Sequence, residues 1–517
     1  MAMGLTPVVE KLQVAPKNGN QPFLMELPRR ETIRIYPNSI QELNRDFFFI
    51  ARKRDQKYLF ILPTQDDSGT LSKFDSEKME AYPPLKCCPL NHHNATALRE
   101  LFGFTRPVLI GLQNSIGLGD RLGIANPAHL RAAAKSNLKP VLAQQSIREL
   151  QRTQRKPEEV MDAATWAVFQ EGYKDGFGAD ADHLKTTDDI DLMVRAGFTM
   201  FTFDPGEYVV NEADGLPITA VEERIKALPW ELLADKPVSF IERYYNQTLQ
   251  VTEDLKLLPI REQVLRGLLK YGGVIAHAVR LHRYFKNQYP NHPAEFELSV
   301  DETDSVTSPF EHYLVANELK RLGVNLVSLA PRFVGDFEKG IDYKGDLEEF
   351  RAEYLKHVKI AERLGPYKIS IHSGSDKFSV YQVIGSLKKG FVHVKTAGTS
   401  YLEALRTVAE KSPDLFREIL DFARGLYESE KRTYRVSAKL TNVPSSRECS
   451  HEQLCALFNQ EDARQVLHVT FGKVLTTRTE GGGLLFKDRI MNVLNDNEEA
   501  HYQNLEQHFR RHLQPFN

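Results

Sequence analysis

Between about residues 105 and 400, short apolar runs recur eight times, and longer amphipathic segments separate them. The runs are PVLIGLQN (107–114), PVLAQQS (140–146), GFGADADH (176–183), FTMFTFD (198–204), FELSVDE (296–302), VNLVSLAP (324–331), YKISIHS (367–373) and GFVHVKT (390–396). Segments such as EEVMDAATWAVFQEGY, HYLVANELKRLG and EEFRAEYLKHVKIAERLG lie between them with helical periodicity. Nearly continuous apolar strands that alternate with helices predict a parallel sheet covered on both faces. An open doubly wound sheet has the same alternation, but eight units favour closure into an α/β (β/α)8 TIM-like barrel over residues 101–405. The gap between the fourth and fifth runs is too long for one crossover. It predicts a helical insertion at about 206–292, with IREQVLRGLLKYGGVIAHAVRLHRYF as its main helix.

The flanks read differently. Residues 1–100 form a β-rich extension, with ETIRIYP, RDFFFIARK and KYLFILPTQ as short strands and KCCPLNHHN (86–94) as the connector out. Residues 406–517 are mainly helical and end in NDNEEAHYQNLEQHFRRHL.

A formal net charge of −2 gives no basic surface for nucleic acid, so an anionic ligand would be held by a few local Arg and Lys residues. No apolar run approaches the roughly 18–20 residues needed to cross a bilayer. The first twenty residues lack a signal-peptide pattern. Four cysteines, Cys87, Cys88, Cys449 and Cys455, form neither a disulfide framework nor a CxxC pair, and predict reduced thiols in the cytoplasm. The composition points to neither a nucleic-acid nor a membrane partner. A homo-oligomer is compatible with this composition.

Barrel enzymes place their chemistry at the C-terminal ends of the strands. Here those ends are polar: QNSIGLGDRLG, QQSIR, ADADH, FDPGE, VDET, PRFVGDFEKG, IHSGSDK and HVKTAGTS. Strand periodicity puts Glu297, Ser299 and Asp301 on one face, and aligns Lys368, Ser370 and His372, and His393 and Lys395, with it. A mouth of imidazoles and carboxylates suits a divalent cation such as Zn, Mn, Fe, Ni or Co. His183 and His372 are the imidazole candidates. Asp336 or Glu338 could supply a carboxylate, and Glu338 is preferred for its reach.

Plainer readings compete. Asp-x-Asp-His after a strand is usually a solvated turn or a helix cap, although Thr186 or Thr187 can cap the next helix instead. His372 alone would more often be a hydrogen-bonded core residue. Glu297 within an apolar strand resists dismissal, because a buried carboxylate costs several kcal/mol unless paired or protonated. His393 and Lys395 suit a structural ion-pair network equally well, and Arg121 and Arg332 could pair with neighbouring acids. GLGDRLG is not a dinucleotide fingerprint, since Leu122 occupies the third glycine position; it reads as a loop presenting Asp120 and Arg121. There is no GxSxG elbow and no Walker A loop.

QNSIGLGDRLGIANPAHLRA, AQQSIREL, ATWAVFQEGYKDGFGADADHLK, FELSVDETDSVTSPFEHY, EKGIDYKGDL, YKISIHSGSDKFSVY and HVKTAGTSYLEALR together resemble the tagaturonate epimerase family. The resemblance covers about 105–405, continues more weakly through the helical tail and takes nothing from the first 100 residues. It implies a metal-dependent epimerase that interconverts D-tagaturonate and D-fructuronate in galacturonate breakdown, without a redox cofactor. It maps the proton acceptor onto Asp182, the opposing acid onto Glu297, and metal ligands onto His183 and His372, with Glu338 as third ligand. The expected reaction is removal and return of a proton at the carbinol beside the ketone. Lys395, Arg121 and Arg332, in that order, are candidates for holding the substrate carboxylate. The competing readings are another metal-dependent sugar isomerase or aldolase on the same barrel, and a non-catalytic sugar-acid binding protein.

Overall fold

The computed structural model describes residues 6–14, 19–27, 30–63, 71–79, 82 and 84–517. Eight strands form a closed parallel barrel: β1 (Ser115–Gly117), β2 (Lys139–Ser146), β3 (Gly178–Leu184), β4 (Met200–Phe203), β5 (Glu295–Val300), β6 (Ser328–Pro331), β7 (Lys368–Ile371) and β8 (Val392–Lys395). Each pairs with its sequence neighbours, and β8 closes onto β1 through His393 opposite Ser115. Seven of the eight apolar runs hold the barrel strands expected from them. The first does not, because β1 lies just past PVLIGLQN. Val108 and Leu109 are 43% and 46% exposed, Val108 N–H donates to the Phe177 carbonyl, and Gly111 N–H donates to Glu295 Oε1. That run passes across the N-terminal ends of β3 and β5, and buries only Ile110 fully. An apolar run closing the barrel floor has the same composition as a strand within it.

The insertion after β4 contains helices Ile218–Ile225, Trp230–Leu233 and Pro237–Tyr244 and a short antiparallel pair, Leu249–Gln250 with Lys256–Leu257. The 28-residue helix Arg261–Gln288 then returns the chain to β5, with Val264, Leu268, Tyr271, Ile275 and Phe285 buried. It is therefore the crossover helix of the fourth unit, enlarged by the segment before it.

The N-terminal strands build a seven-stranded antiparallel sheet, and KCCPLNHHN is part of it. Lys86–Pro89 pairs with Gln56–Leu62, and the helix His92–Leu101 begins directly after; the segment is a strand and a helix start, not a connector. The strand expected from KYLFILPTQ covers Gln56–Leu62, and residues 64 and 65 lie outside the described residues. One face of the sheet packs Phe48, Ile50 and Leu59 against Trp166 and Phe169 of the helix Pro157–Glu171, which links β2 to β3.

The C-terminal helices pack on Thr399–Lys411, the helix after β8, through Leu402, Leu405, Val466, Phe471 and their neighbours. The helix Glu498–Leu513 is anchored by His508, which is hydrogen bonded to Asp376 Oδ1 (2.5 Å) and faces Glu403 Oε1 (3.1 Å). Burial opposes a charge on this imidazole, but Glu403 and Asp376 overcome it and raise its pKa to about 9. A raised histidine pKa stabilises the fold fully below its unfolded value of about 6.5 and is lost as pH rises through 9. Urea midpoints should therefore fall between pH 7 and 10 in the wild type, with a clearly smaller fall in His508→Gln; equal falls would refute this anchor.

Candidate active site

Local backbone geometry in β3 sets the centre of the site. Asp180 and Asp182 share the inward face, as strand parity requires. In a regular strand His183 would face the other way. The pairing of β3 with β4 slips between Ala181 and Leu184, and His183 adopts φ +54°, a left-handed conformation rare outside glycine. This bulge re-aims the imidazole, so Asp182 and His183 line the same cavity. Such strain concentrates where function requires it. The next helix does not need these residues as caps: Thr186 Oγ1 accepts from Asp189 N–H, and the Asp189 carboxylate accepts from Thr186 N–H.

Beneath the mouth, Lys395 Nζ lies 2.8 Å from Asp180, 2.7 Å from Asp182 and 2.7 Å from Glu297, and donates to Thr202 Oγ1 at 2.8 Å. All four partners are buried. The ammonium is occupied by these groups and is not free to hold a substrate carboxylate. Burial raises Asp180 to about 6 despite Lys395, whereas the charges of His183 and Lys395 overcome burial and hold Asp182 well below the usual carboxylate range. Glu297 is likewise held low, against its burial, by Lys395 and His372. Lower in the barrel, Ser115 joins Lys368 (3.2 Å) to His393 (2.9 Å), a structural polar layer.

The two imidazoles are oriented alike. His183 Nδ1 faces Asp204 Oδ2 at 3.2 Å, and His372 Nδ1 faces Asp301 Oδ1 at 3.2 Å. Their Nε2 atoms turn inward, His183 toward Asp182 Oδ1 (3.7 Å) and His372 toward Glu297 Oε1 (2.7 Å). A carboxylate behind Nδ1 fixes the tautomer that leaves Nε2 as a ligand. Although burial disfavours their charge, Asp182 and Asp204 raise His183 to about 9, and Asp301 and Glu297 raise His372 to about 10. A metal held there would have to displace the Nε2 protons, because only the neutral imidazole ligates. Ligand atoms of Asp182, His183 and His372 all lie within 4.8 Å of one another.

The other expected residues lie apart from this centre or are already engaged. Glu338 accepts from Ser437 Oγ (2.7 Å) and Gln465 Nε2 (2.7 Å) and is not part of the three-residue donor group; Asp336 is exposed, in a two-stranded bridge with Lys344. Arg121 lines the inner cavity, gives Nε and Nη2 to Glu149 and stacks on Phe471, while its buried Nη1 has no partner among the described residues. Arg332 lines the outer cavity. Arg148 and Lys339 were not singled out from the sequence, yet both line the inner cavity of about 60 Å³ and the outer one of about 370 Å³. Arg148 follows the polar end of strand two and Lys339 sits in the strand-six loop, so position was a signal for them; Asp204 and Asp301 also stood at strand ends. Asp376, His508 and His512 form a second close trio among the described residues. There Arg464 already pairs with Asp376, and His512 Nε2 accepts Asp376 N–H, so its ligand atoms are spent on structure.

Carboxylates held ionised and imidazoles each backed by a carboxylate, gathered at one mouth of a (β/α)8 barrel, define a site built to move protons. A model of the UxaE tagaturonate epimerase family matches residues 36–516. A tagaturonate/fructuronate epimerase from Thermotoga maritima is 40% identical over 479 residues, 93% of this chain and 96% of that protein. Crystal structures of the fructuronate-tagaturonate epimerase UxaE from Cohnella laeviribosi, native and with glycerol, superpose with TM-score 0.87 at 36% identity over 100% of this chain and 99% of theirs. The chain belongs to the tagaturonate epimerase family and is an epimerase, within the carbohydrate isomerases. The match begins inside the N-terminal sheet, which therefore belongs to the family architecture rather than standing outside it.

Proposed function

We propose that this chain interconverts D-tagaturonate and D-fructuronate in hexuronate breakdown, the reaction its relatives are named for. The convergence of Asp182, His183 and His372 carries this reading. The donor set fits a divalent ion, which Asp182, His183 and His372 would hold; Zn, Mn, Fe, Ni and Co are all compatible. When bound, the ion supplies Lewis acidity to substrate oxygens next to the reacting bond. Four free cysteines suit a reducing, cytoplasmic setting.

Substrate chemistry revises the expected proton abstraction. Numbered as ketoses, both acids carry the ketone at C2 and the carboxylate at C6, and they differ at C4. The C4 hydrogen is one carbon too distant to be acidified by the ketone, whereas the C3–C4 bond is positioned for aldol cleavage. Asp182, held ionised, takes the C4 hydroxyl proton. The C4–O electrons form an aldehyde, and the C3–C4 pair shifts toward the C2 carbonyl, leaving an enediolate. The aldehyde fragment turns, C3 attacks its opposite face, and Glu297 protonates the new C4 oxygen. Atoms and electrons balance without net oxidation. Glu297 is held ionised by Lys395 and His372 against its burial, so the proton it delivers to that oxygen is drawn from Lys395 Nζ, 2.7 Å away. Lys395, 2.7 Å from both carboxylates, can return the proton from Asp182 to Glu297 for the next turnover.

Tagaturonate deuterated at C4 tests the route in H2O. Fructuronate that retains the deuterium, without a large primary isotope effect, is the expected result; loss of label to solvent would restore carbon deprotonation and sink the cleavage. Chelation should abolish turnover, and a divalent ion should restore it. Full activity in the chelated protein would remove the ion from the proposal.

A further inference from the structure

The C-terminal helix Glu461–Val469 contributes a side chain to the barrel mouth that the mechanism above does not use. His468 is 1% exposed and lines the inner cavity with Asp182, His183, His372 and Lys395. Its Nδ1 is buried and has no hydrogen-bond partner among the described residues. A buried polar atom left without a partner is destabilising, so it needs a reason. The surrounding chain makes room for it. A β-carbon on Gly398 would overlap the imidazole, and one on Gly340 would lie 3.4 Å from Nδ1. One helical turn earlier, Arg464 donates to the Gly340 carbonyl (2.8 Å) and pairs with Asp376, fixing the helix to the loops after β6 and β7. Burial and the nearby Arg121 and Lys339 keep the ring neutral at pH 7, so it retains one N–H.

Arg121 borders the same space. It is 4% exposed, and its buried Nη1 has no partner among the described residues. Ala397 and Gly398, at the start of the 13-residue helix Thr399–Lys411, complete the wall, and the positive end of that helix dipole favours an anion. About 60 Å³ is room for two waters, or for one carboxylate group.

We propose that His468 and Arg121 Nη1 together form the subsite for the carboxylate of the sugar acid, so that the C-terminal helical region completes the active site. This rests on the proposed sugar-acid reaction and adds the residue that recognises the acid. In the cleavage route the aldehyde fragment carries this carboxylate, and the subsite would be the pivot that retains the fragment while it turns.

The test compares competitive inhibition by a hexonate with that by the corresponding neutral hexitol, using the full-length, metal-loaded protein. Wild type should bind the hexonate more tightly. His468→Leu fills the space without hydrogen bonding, and Gly398→Ala displaces the ring. Each should raise the hexonate inhibition constant by about tenfold or more, with the hexitol value unchanged. His468→Gln, which keeps a donor, should recover part of the loss. Equal weakening of both inhibitors would assign His468 a structural role, and no weakening of either, or no hexonate preference in wild type, would equally overturn the subsite. If tagaturonate is not converted, the reaction assignment fails, and calorimetric binding of the same hexonate and hexitol to wild type and variants decides the subsite separately.

Discussion

Asp182→Asn is expected to lower kcat by about 10²–10⁴-fold, the usual loss when a positioned acid–base group is removed. The amide preserves size and can still meet Gln144 and Lys395, which contact the carboxylate at 3.0 and 2.7 Å. It removes the charge that accepts the C4 hydroxyl proton. It also removes an anion beside His183 Nε2, so bound metal must be measured in the same preparation. Lost turnover with full metal content identifies the proton acceptor, whereas lost metal with activity restored by excess ion makes Asp182 a ligand only. Glu297→Gln should behave similarly, because its Oε1 receives both His372 and Lys395. Activity within tenfold of wild type in either variant would defeat the two-carboxylate scheme.

Lys395→Met should have the largest effect on stability, about 3–5 kcal/mol near pH 7, the range seen when one partner of a buried ion pair is deleted. Methionine fills similar volume but leaves Asp180, Asp182 and Glu297 facing one another without the ammonium. The pH dependence has a definite sign. Asp180 is already raised from 3.8 to about 6, so between those values the folded chain holds a proton that the unfolded chain has released. Folding is then favoured as pH falls, and without Lys395 Asp180 moves higher still while Asp182 and Glu297 lose the charge that holds them low. The stability gap between wild type and variant, read from urea unfolding, should narrow from pH 8 to pH 5. A gap that stayed constant or widened would mean that Lys395 does not neutralise this cluster.

Much of the architecture is visible from residue order alone, and its limits have local causes. Eight apolar runs between helical segments are enough for the barrel, because a parallel strand must be covered on both faces. The same logic misplaces the first strand, since PVLIGLQN is buried only at Ile110 and otherwise skirts the barrel floor. Parity correctly puts Glu297, Ser299, Lys368, Ser370, His372, His393 and Lys395 inside, where all are buried. Parity could not orient His183, which reaches the cavity only through the bulge and its left-handed backbone.

Charge pairing was least visible. Lys395 has the strand-end placement of a substrate-binding cation, but closure of the barrel surrounds it with carboxylates from β3 and β5. Glu338 has the reach of a ligand, but residues from the C-terminal helical region claim it first. His468 carries no sequence signal, because it lies on an ordinary amphipathic helix about 70 residues beyond the last strand. By itself the sequence determined the periodicities, hence the barrel, its inward faces and the family. Side-chain alternation is a property of each strand's own backbone, so it can be read locally. Which donor meets which acceptor at the mouth was decided only by the tertiary structure, because those partners lie on strands and helices up to hundreds of residues apart and meet only when the barrel closes and the C-terminal helices cover it.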